Sequence, residues 1–518
     1  MGSNLGYIRN RNPNTPSNPS RGFDPSQILD LINLLDRPNS TTSTQQVDLS
    51  PDIAEIRGQI SRLYFLLARQ YAALNQIPET CSALEKAYST ELEAYLRKRL
   101  RSRQAPSNDC YASEVKRISQ LTGSPTALIY VTTSKGGLEL IAVTPPKTTR
   151  PAGIFPRNRI ATKSLEKLGI LANAITDDDF LADDVLTQNS QTEATTVRKV
   201  ESKATTEQVD QVILDFRNNL QDYQSYDFLP QSQQLYNWVI RPIQPELEKA
   251  QVKTIVFVMN GNLRVVPPAA FHDGQRYLIE KYAVTSIPSW QLTEPNHPDR
   301  ALTPQILAMG FSESVEGLPA LPAAKLEVET IATKILTGKN FINREFTKDN
   351  LRSQISNQKF GIIHFATHAR FLHESPEKSF IQFWGDQLQM NQISKMNLTT
   401  DLLTLSACET AVGQHLGLAG LAVDSGASSV LASLWEVSDA GTAPLMIRFY
   451  HGLTTAPSKA IAIQEAQLAF LRGEVTLNNN QIQGIKDFPN LSFPINAKGI
   501  NLKHPYFWSS FTLVGNWL

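Results

Sequence analysis

The sequence predicts an α/β protein with a three-layer arrangement, in which helices cover both faces of a mostly parallel sheet. From residue 254 onward, short apolar runs of strand length alternate with helical segments. Two of these stretches, 360–371 and 402–410, each combine a short apolar run with small residues beside one reactive side chain, which is His368 in the first and Cys408 in the second. In a doubly wound sheet, reacting groups collect beyond the carboxyl ends of neighbouring strands. We therefore expect His368 and Cys408 to lie close together, as a thiolate nucleophile and its base require.

Length and charge narrow the possible classes of protein. A chain of 518 residues, 41% of them hydrophobic, is long enough for several domains with real cores. Lys plus Arg and Asp plus Glu both number 49, so the balanced charge favours neither nucleic acid nor a membrane as partner. No apolar run approaches the roughly 20 residues of a membrane span, and the start of the chain lacks a signal-peptide core. These features predict a cytoplasmic protein.

The three cysteines are predicted to be reduced. Cys81, Cys110 and Cys408 have no CxxC spacing and are too few for a disulfide scaffold in so long a chain. Cys81 and Cys110 lie in helical, polar surroundings and are interpreted as incidental. Cys408 differs because it follows a strand among small residues, where backbone N–H groups and an imidazole would favour the thiolate. The alternative for Cys408 is a small buried hydrophobic side chain.

Changes in sequence pattern predict four regions. Residues 1–48 are rich in Asn, Pro, Ser and Thr and are predicted to be a mostly disordered tail. Residues 49–122 form a helical hairpin region, because apolar residues recur there at three- and four-residue steps. One tetratricopeptide repeat would also fit, but no second copy follows at a period of about 34 residues. Residues 123–300 form a first α/β half with an inserted linker at about 145–205, and residues 301–518 form a second one.

Metal, nucleotide and serine-hydrolase sites find little support in the sequence. His364 and His368 are four residues apart, which would place them on one face of a helix, but they lie on a strand and no Glu follows His364. His364 is therefore interpreted as a histidine of the sheet. The sequence contains no GxGxxG, P-loop or GxSxG motif. We expect neither a metal nor a cofactor.

Several segments together resemble one family. They are His364-Phe-Ala-Thr-His-Ala-Arg-Phe371, Leu405-Ser-Ala-Cys-Glu-Thr-Ala411, Leu416-Gly-Leu-Ala-Gly-Leu-Ala422, Gly426-Ala-Ser-Ser-Val-Leu-Ala-Ser-Leu-Trp435 and His504-Pro-Tyr-Phe-Trp508. This set is similar to the CHAT-domain cysteine peptidases, relatives of caspases and separase, from about residue 127 to the end. The resemblance implies a caspase-like three-layer αβα sheet, preceded by a pseudo-caspase α/β half and the N-terminal helical hairpin.

The resemblance also implies roles for particular residues. His368 would be the base and Cys408 the nucleophile of a cysteine endopeptidase, with the backbone N–H groups of Ala369 and Cys408 forming the oxyanion hole. Many relatives have glycine at the position of Ala369. No third catalytic residue can be identified from the sequence.

Substrate binding is predicted for residues near the strand ends, and these are Ser406, Trp435, Asp386 and Asp439. Asp439 is equally suited to capping the helix that begins near residue 440. Metacaspases carry an Asp two positions before the cysteine and prefer a basic P1 residue, whereas this chain has Ser406 there. Because no arginine lies between residues 371 and 447, an acidic P1 residue is not expected.

Two functions remain open at this point. The first is a cysteine endopeptidase that cleaves protein substrates and is regulated by a protein partner through its N-terminal helices, with no nucleic acid or membrane involved. The alternative is a catalytically silent CHAT-fold scaffold or adaptor in signalling. Because both His368 and Cys408 are present, the enzyme is preferred.

Overall fold

The architecture is taken from a computed structural model. The structure describes residues 25–35, 49–100, 107–134, 137–147, 196–201, 204–295, 305–370, 378–396, 398–406, 420, 423–478, 480–494 and 500–518. Among these residues, no helix is long and apolar enough to cross a bilayer.

The core of the molecule is one sheet of eleven strands. These strands are β1 Thr126–Ser134, β2 Gly137–Thr144, β3 Thr196–Glu201, β4 Thr254–Met259, β5 Ala283–Ser286, β6 Gln305–Gly310, β7 Thr337–Ile342, β8 Ile362–Ala366, β12 Leu402–Ser406, β13 Ser429–Ser433 and β17 Phe511–Gly515. Their order across the sheet is β3-β2-β1-β4-β5-β17-β13-β12-β8-β6-β7. Neighbours run parallel except for β2 against β1 and β3, and β13 against β17. The predicted α/β class is confirmed.

Two small antiparallel sheets accompany the main one. Their strands are β9 Ala369–Arg370, β10 Phe380–Phe383 and β11 Asp386–Gln389, and β14 Thr476–Asn478, β15 Gln481–Ile485 and β16 Phe488–Ser492. These strands and β7 were not predicted from the sequence. They are short and partly exposed, so they lack the continuous apolar runs that identify a central strand.

Helices surround the sheet. They are α1 Pro25–Leu35, α2 Pro51–Ala73, α3 Ile77–Leu96, α4 Ala112–Thr122, α5 Thr206–Leu220, α6 Leu229–Val239, α7 Gln244–Lys249, α8 Pro322–Thr330, α9 Lys348–Asn357, α10 Met390–Met396, α11 Asp439–Leu453, α12 Lys459–Leu471 and α13 Pro505–Trp508.

Neighbouring residues of β8 show that both faces of the sheet are covered. His364 contacts Glu327 of α8 and Tyr450 of α11, whereas the ring of Phe365 packs against Phe346 and Phe383. Successive side chains of a strand point to opposite faces. The helices α8 and α11 therefore cover one face near the predicted site, and the segment before α9 together with β10 covers the other.

The two predicted α/β halves share a single sheet. Strand β5 of the first half pairs in parallel with β17, where Val514 lies opposite Ser286, and Thr285 Oγ1 donates a hydrogen bond to the carbonyl oxygen of Leu513 at 2.9 Å. The predicted boundary near residue 300 falls outside the described residues and stays a prediction. The hydrogen-bonded ladder nevertheless runs from one half into the other.

The predicted helical hairpin is formed by α2 and α3, and it docks onto the first half through a buried carboxylate. The side chain of Glu85 on α3 accepts hydrogen bonds from the backbone N–H groups of Trp290 and Gln291 at 3.0 and 2.9 Å. The hydroxyl of Tyr130 on β1 donates to the same carboxylate at 2.7 Å. Burial raises the pKa of Glu85, and these hydrogen bonds oppose that effect. Glu85 thus joins the hairpin, strand β1 and the segment after β5.

Two sequence predictions need correction. The region at about 145–205 is not only a linker, because residues 196–201 form β3 at the sheet edge; residues 148–195 lie outside the described part. The prediction of reduced thiols is also wrong for one pair, because Cys81 and Cys110 form a disulfide with their Cα atoms 5.4 Å apart. Cys81 lies on α3 and Cys110 directly before α4, so the folded hairpin region brings together two positions that have no motif spacing.

The predicted tail is described only in part. Residues 25–35 form α1, of which Ile28 and Ile32 are buried, so this part of the predicted tail is a helix. The rest of the predicted disordered tail lies outside the described residues.

Candidate active site

His368 lies where strand β8 ends. The strand is an apolar run buried along its whole length, and Thr367 and His368 follow it directly. The imidazole is half-buried, and its ring centroid is 5.7 Å from that of Phe311. The sheet thus places one edge of this imidazole against protein and leaves the rest accessible.

The backbone of Pro319 fixes the orientation of the His368 ring. Nε2 of His368 lies 3.0 Å from the carbonyl oxygen of Pro319. A carbonyl oxygen only accepts hydrogen bonds, so Nε2 carries the proton and Nδ1 of the neutral ring is the basic nitrogen. Strand β6, which precedes Pro319, lies between β7 and β8, so the chain continues first to one side of β6 and then to the other. The contact between Pro319 and His368 therefore lies where the strand order of the sheet reverses.

Strand β12 carries the chain toward Cys408 along the neighbouring edge. Ser406, the last residue of β12, lies opposite Ala366, and its carbonyl oxygen accepts a hydrogen bond from Thr367 N at 3.3 Å. Cys408 comes two positions after Ser406 and lies outside the described residues. The two described strand ends are therefore adjacent at the positions that lead into the predicted histidine and cysteine.

Ala369 begins the short strand β9, which pairs with β10. The N–H of Gln382 donates to the carbonyl oxygen of His368 at 2.8 Å, and Ala369 lies opposite Ile381. In an antiparallel ladder, hydrogen-bonded and non-hydrogen-bonded pairs alternate, so the N–H of Ala369 points away from β10. The N–H of Ala369 is therefore not part of the ladder with β10, and its role as an oxyanion donor stays a prediction.

A side chain next to the histidine also joins β8 to the small sheet. Thr367 Oγ1 donates to the carbonyl oxygen of Gln382 at 2.6 Å, and both residues are fully buried. Two hydrogen bonds therefore connect Gln382 to consecutive residues, Thr367 and His368. They restrain the backbone on which His368 and Ala369 sit.

The predicted substrate residues occupy different environments. Asp386 begins β11, is exposed, and forms an ion pair with Lys348 of α9; the Lys348 hydrogen bond lowers the pKa of Asp386. Together with Glu316 and Gln382 it lines an open polar cleft beside the histidine strand. Trp435 follows β13 and is only 1% exposed. The structure thus places Asp386 at an accessible surface and the Trp435 ring inside the protein, and their roles toward substrate stay predictions.

Asp439 is the first residue of α11, and its carboxylate caps a different helix. Its Oδ2 accepts a hydrogen bond from the backbone N–H of Ala323, in the first turn of α8, at 2.8 Å. Burial raises the pKa of Asp439 to about 7 and the nearby charge of Glu327 adds to this, whereas the Ala323 hydrogen bond opposes it.

His364 belongs to a buried polar cluster. Its Nε2 lies 2.9 Å from Oε1 of Glu327, its Nδ1 is 3.2 Å from the hydroxyl of Tyr450, and that hydroxyl donates to Thr404 Oγ1 at 2.7 Å. These partners agree with the interpretation of His364 as a histidine of the sheet. Within the described part of the chain, no group of three or more His, Cys, Asp or Glu side chains is placed to hold a metal ion.

Two features of this region were not predicted from the sequence. The contact of the Pro319 carbonyl group with His368 cannot be predicted from a side chain, because every residue has a carbonyl group. The one sequence signal for it is the short span from Pro319 to Pro322 just before a helix. The contact of α3 with residues that follow Cys408 was also missed. Lys98, just after α3, forms a buried ion pair with Asp424, and a Cβ atom at Gly420 would lie 2.9 Å from Cε1 of Tyr95.

The fold and the site define an α/β protein with a large, mostly parallel sheet, in which a histidine lies at the carboxyl end of one parallel strand beside the strand that leads to a cysteine. The CHAT domain family matches residues 229–516, more than half of the chain, and the chain belongs to this family.

Among solved structures, the chain is similar to the separase–securin complex of Saccharomyces cerevisiae. Crystal structures at 2.6 and 3.0 Å resolution give TM-scores of 0.43 and 0.41, each with 11% sequence identity. In both cases the similarity covers 95% of this chain and 37% of the other, so the chain spans little more than a third of the length of those chains. No curated protein sequence matches the chain.

Proposed function

We propose that this protein is a cysteine endopeptidase in which His368 and Cys408 form the catalytic dyad. One observation carries the proposal: β8 and β12 are neighbouring parallel strands, and the Thr367–Ser406 hydrogen bond joins their ends directly before these two residues. The Pro319 carbonyl supports it further, because it fixes the proton on Nε2 and leaves Nδ1 of His368 as the base.

The proposed reaction is acyl transfer. Nδ1 of His368 takes the thiol proton, and the Cys408 sulfur attacks the carbonyl carbon of a peptide bond. The N–H groups of Ala369 and Cys408 bind the resulting oxyanion. His368 returns the proton to the amine as the C–N bond breaks, which leaves a thioester on Cys408. Water, deprotonated by His368, then hydrolyses the thioester and releases the carboxylic acid and the free thiol.

The test is covalent labelling of Cys408. A peptide that carries an electrophile at the scissile position should modify Cys408 in the wild-type protein, identified by mass spectrometry of the tryptic digest. The His368→Ala variant should react far more slowly at the same residue. Equal labelling of Cys408 in both proteins, without cleavage of any protein substrate, would favour the alternative of a scaffold without catalysis.

We also propose that the N-terminal hairpin regulates the site and binds a protein partner. The contact of α3 with residues after Cys408 supports this, because Lys98 and Asp424 are 7% and 8% exposed and a buried charge needs its partner. A partner that moves the C-terminal end of α3 would therefore act on the segment that follows the nucleophile. No role for nucleic acid or a membrane is proposed.

Charge reversal tests the regulatory contact without removing the hairpin. Lys98→Asp should change the rate at which Cys408 reacts with iodoacetamide, and the double variant Lys98→Asp with Asp424→Lys should return it toward the wild-type rate. Lys86→Met, on an exposed residue of the same helix, is the control. Identical rates in all four proteins would refute control through this contact.

The proposed location is the cytoplasm, and it has to be reconciled with the disulfide. Structural disulfides are rare in the cytosol and common in oxidising compartments. Trapping thiols during cell fractionation would show in which compartment the chain is found and whether Cys81 and Cys110 are joined there. A chain found only outside the cytoplasm would refute the proposed location.

A further inference from the structure

Helix α8 begins just after the carbonyl group that orients His368. Only Ala320, Leu321 and Pro322 separate Pro319 from Ala323, whose N–H lies in the first turn of the helix. Because proline has a fixed φ, this connection has little slack. A shift of the α8 N-terminus would therefore move the Pro319 carbonyl relative to the ring of His368.

The first turn of α8 is capped from another element of the fold. Leu321 occupies the N-cap position and its side chain makes no capping hydrogen bond. The initial N–H groups of a helix have no partners within the helix and favour an anionic acceptor. Asp439 supplies an acceptor oxygen at this position, since its Oδ2 lies 2.8 Å from Ala323 N.

The capping contact joins segments from opposite sides of the site. Asp439 follows β13 and α8 follows β6, and the strands between these two are β12 and β8. One turn further along α8, Glu327 contacts His364 of β8. Residues 323 and 327 share a face of the helix, so α8 is held at two successive turns, once by Asp439 and once by His364.

We propose that Asp439 is a positioning residue: by capping α8 it holds the Pro319 carbonyl against Nε2 of His368. This inference rests on the proposed peptidase function and gives Asp439 a role other than contact with substrate. The required group is the acceptor oxygen and not the negative charge. An asparagine at this position should therefore serve, because its carbonyl oxygen accepts a hydrogen bond and Asn is a favourable capping residue.

The first test needs no catalysis. In protein with ¹⁵N-labelled histidine and the Cys408→Ala substitution, the Nε2–H proton of His368 should give a downfield NMR resonance, because a hydrogen-bonded ring N–H exchanges slowly with water. His368→Gln identifies the resonance among the eight histidines. The resonance should persist in Asp439→Asn and disappear in Asp439→Ala. Its persistence in Asp439→Ala would overturn the proposal. If Asp439→Ala does not fold, Asp439→Ser, which keeps only a shorter acceptor, replaces it.

The second test uses the active protein and a peptide with an uncharged P1 residue. Asp439→Ala should lower kcat by about tenfold or more with little change in KM, because the base is misoriented in the bound complex. Asp439→Asn should stay close to the wild type. A loss shared by both variants, expressed in KM and confined to substrates with a basic P1 residue, would instead identify a substrate contact. If neither the wild type nor either variant cleaves the peptide while the NMR result is as expected, the proposed peptidase function is refuted and the positioning contact still holds.

Discussion

The backbone N–H of Thr367 donates a hydrogen bond to the carbonyl oxygen of Ser406 at 3.3 Å, and this bond extends the pairing of β8 with β12 beyond the last residue of β8. It holds together the ends of β8 and β12, and His368 and Cys408 follow these strand ends in the chain. If these residues form a dyad, they act as a unit. Cys408→Ala and His368→Ala should each abolish proteolysis while leaving the unfolding transition intact, and the double variant should lose no more than either single one.

Rates of substrate cleavage and urea unfolding curves of the three variants check this prediction. Wild-type cleavage by Cys408→Ala would show that the nucleophile has been assigned wrongly. Losses that multiply in the double variant would show that His368 and Cys408 contribute independently.

Removal of the Glu85 carboxylate should destabilise the whole fold. Glu85→Ala leaves the N–H groups of Trp290 and Gln291 and the hydroxyl of Tyr130 without their acceptor inside the protein. Each buried polar group without a partner costs about 1–3 kcal/mol, so a loss on the order of 3 kcal/mol in the free energy of unfolding is expected. The midpoint of urea unfolding measures it. Glu79→Ala, on an exposed residue of the same helix, should shift the midpoint only slightly.

The free energy of unfolding should depend on pH through Asp439. Its pKa is raised from 3.8 to about 7, so the folded protein keeps this proton at pH values where the unfolded chain has lost it. The contribution of this carboxyl group is therefore most favourable at low pH and is lost as the pH rises from 3.8 to about 7. One proton gives a slope of at most about 1.4 kcal/mol per pH unit.

Asp439→Asn should remove the contribution of Asp439 to the pH dependence of the free energy of unfolding, measured by urea unfolding between pH 3.8 and about 7. Asp349→Asn, which changes a carboxyl group that is 93% exposed, should leave the slope as it is. A wild-type curve that rises over this range, and stays the same in Asp439→Asn, would contradict the prediction.

An uncharged P1 residue is the first expectation for the substrate and a basic one the second. A buried acidic side chain needs a cation, and no arginine lies between residues 371 and 447. The structure adds one candidate cation that is distant in sequence. Arg217 of α5 donates a hydrogen bond from Nη2 to the carbonyl oxygen of Leu434 at 3.1 Å. A peptide library with all P1 residues, profiled with active protein, gives the answer. A strong preference for Asp would refute the prediction and make Arg217 and the exposed Arg370 the cations to replace.

The elements that the sequence predicted best are those with continuous apolar runs. Strands β8 and β12 were predicted from the apolar runs that lead to His368 and Cys408, because a fully buried parallel strand has apolar residues at nearly every position. Strand β3 was missed, since Thr196–Glu201 contains only two apolar residues, Val197 and Val200, and lies at a sheet edge beyond a long stretch without pattern. The hairpin was found because two amphipathic helices with a short turn have a clear period.

The site was only partly predictable, for a related reason. His368 stands out because it follows an apolar strand. Its orientation depends on Pro319, which carries no distinctive side chain, and on Asp439, which comes from a helix more than a hundred residues later. Likewise, Arg217 lies far from residues 371–447 in sequence and reaches the carbonyl oxygen of Leu434 only through the fold. Contacts that tertiary packing creates between distant positions leave no local pattern to detect.

The disulfide between Cys81 and Cys110 determines how the chemistry of Cys408 has to be assayed. A nucleophilic thiol needs a reductant to stay free, and the same reductant attacks disulfides. Both bonded cysteines are 1% exposed, so a mild reductant in native buffer should spare them, whereas denaturation in strong reductant should open the bond. With three cysteines in the chain, alkylation should count one thiol in the first condition and three in the second. Protein kept in mild reductant and protein refolded from denaturant with strong reductant would then be two covalently different proteins, and their activities would not be interchangeable.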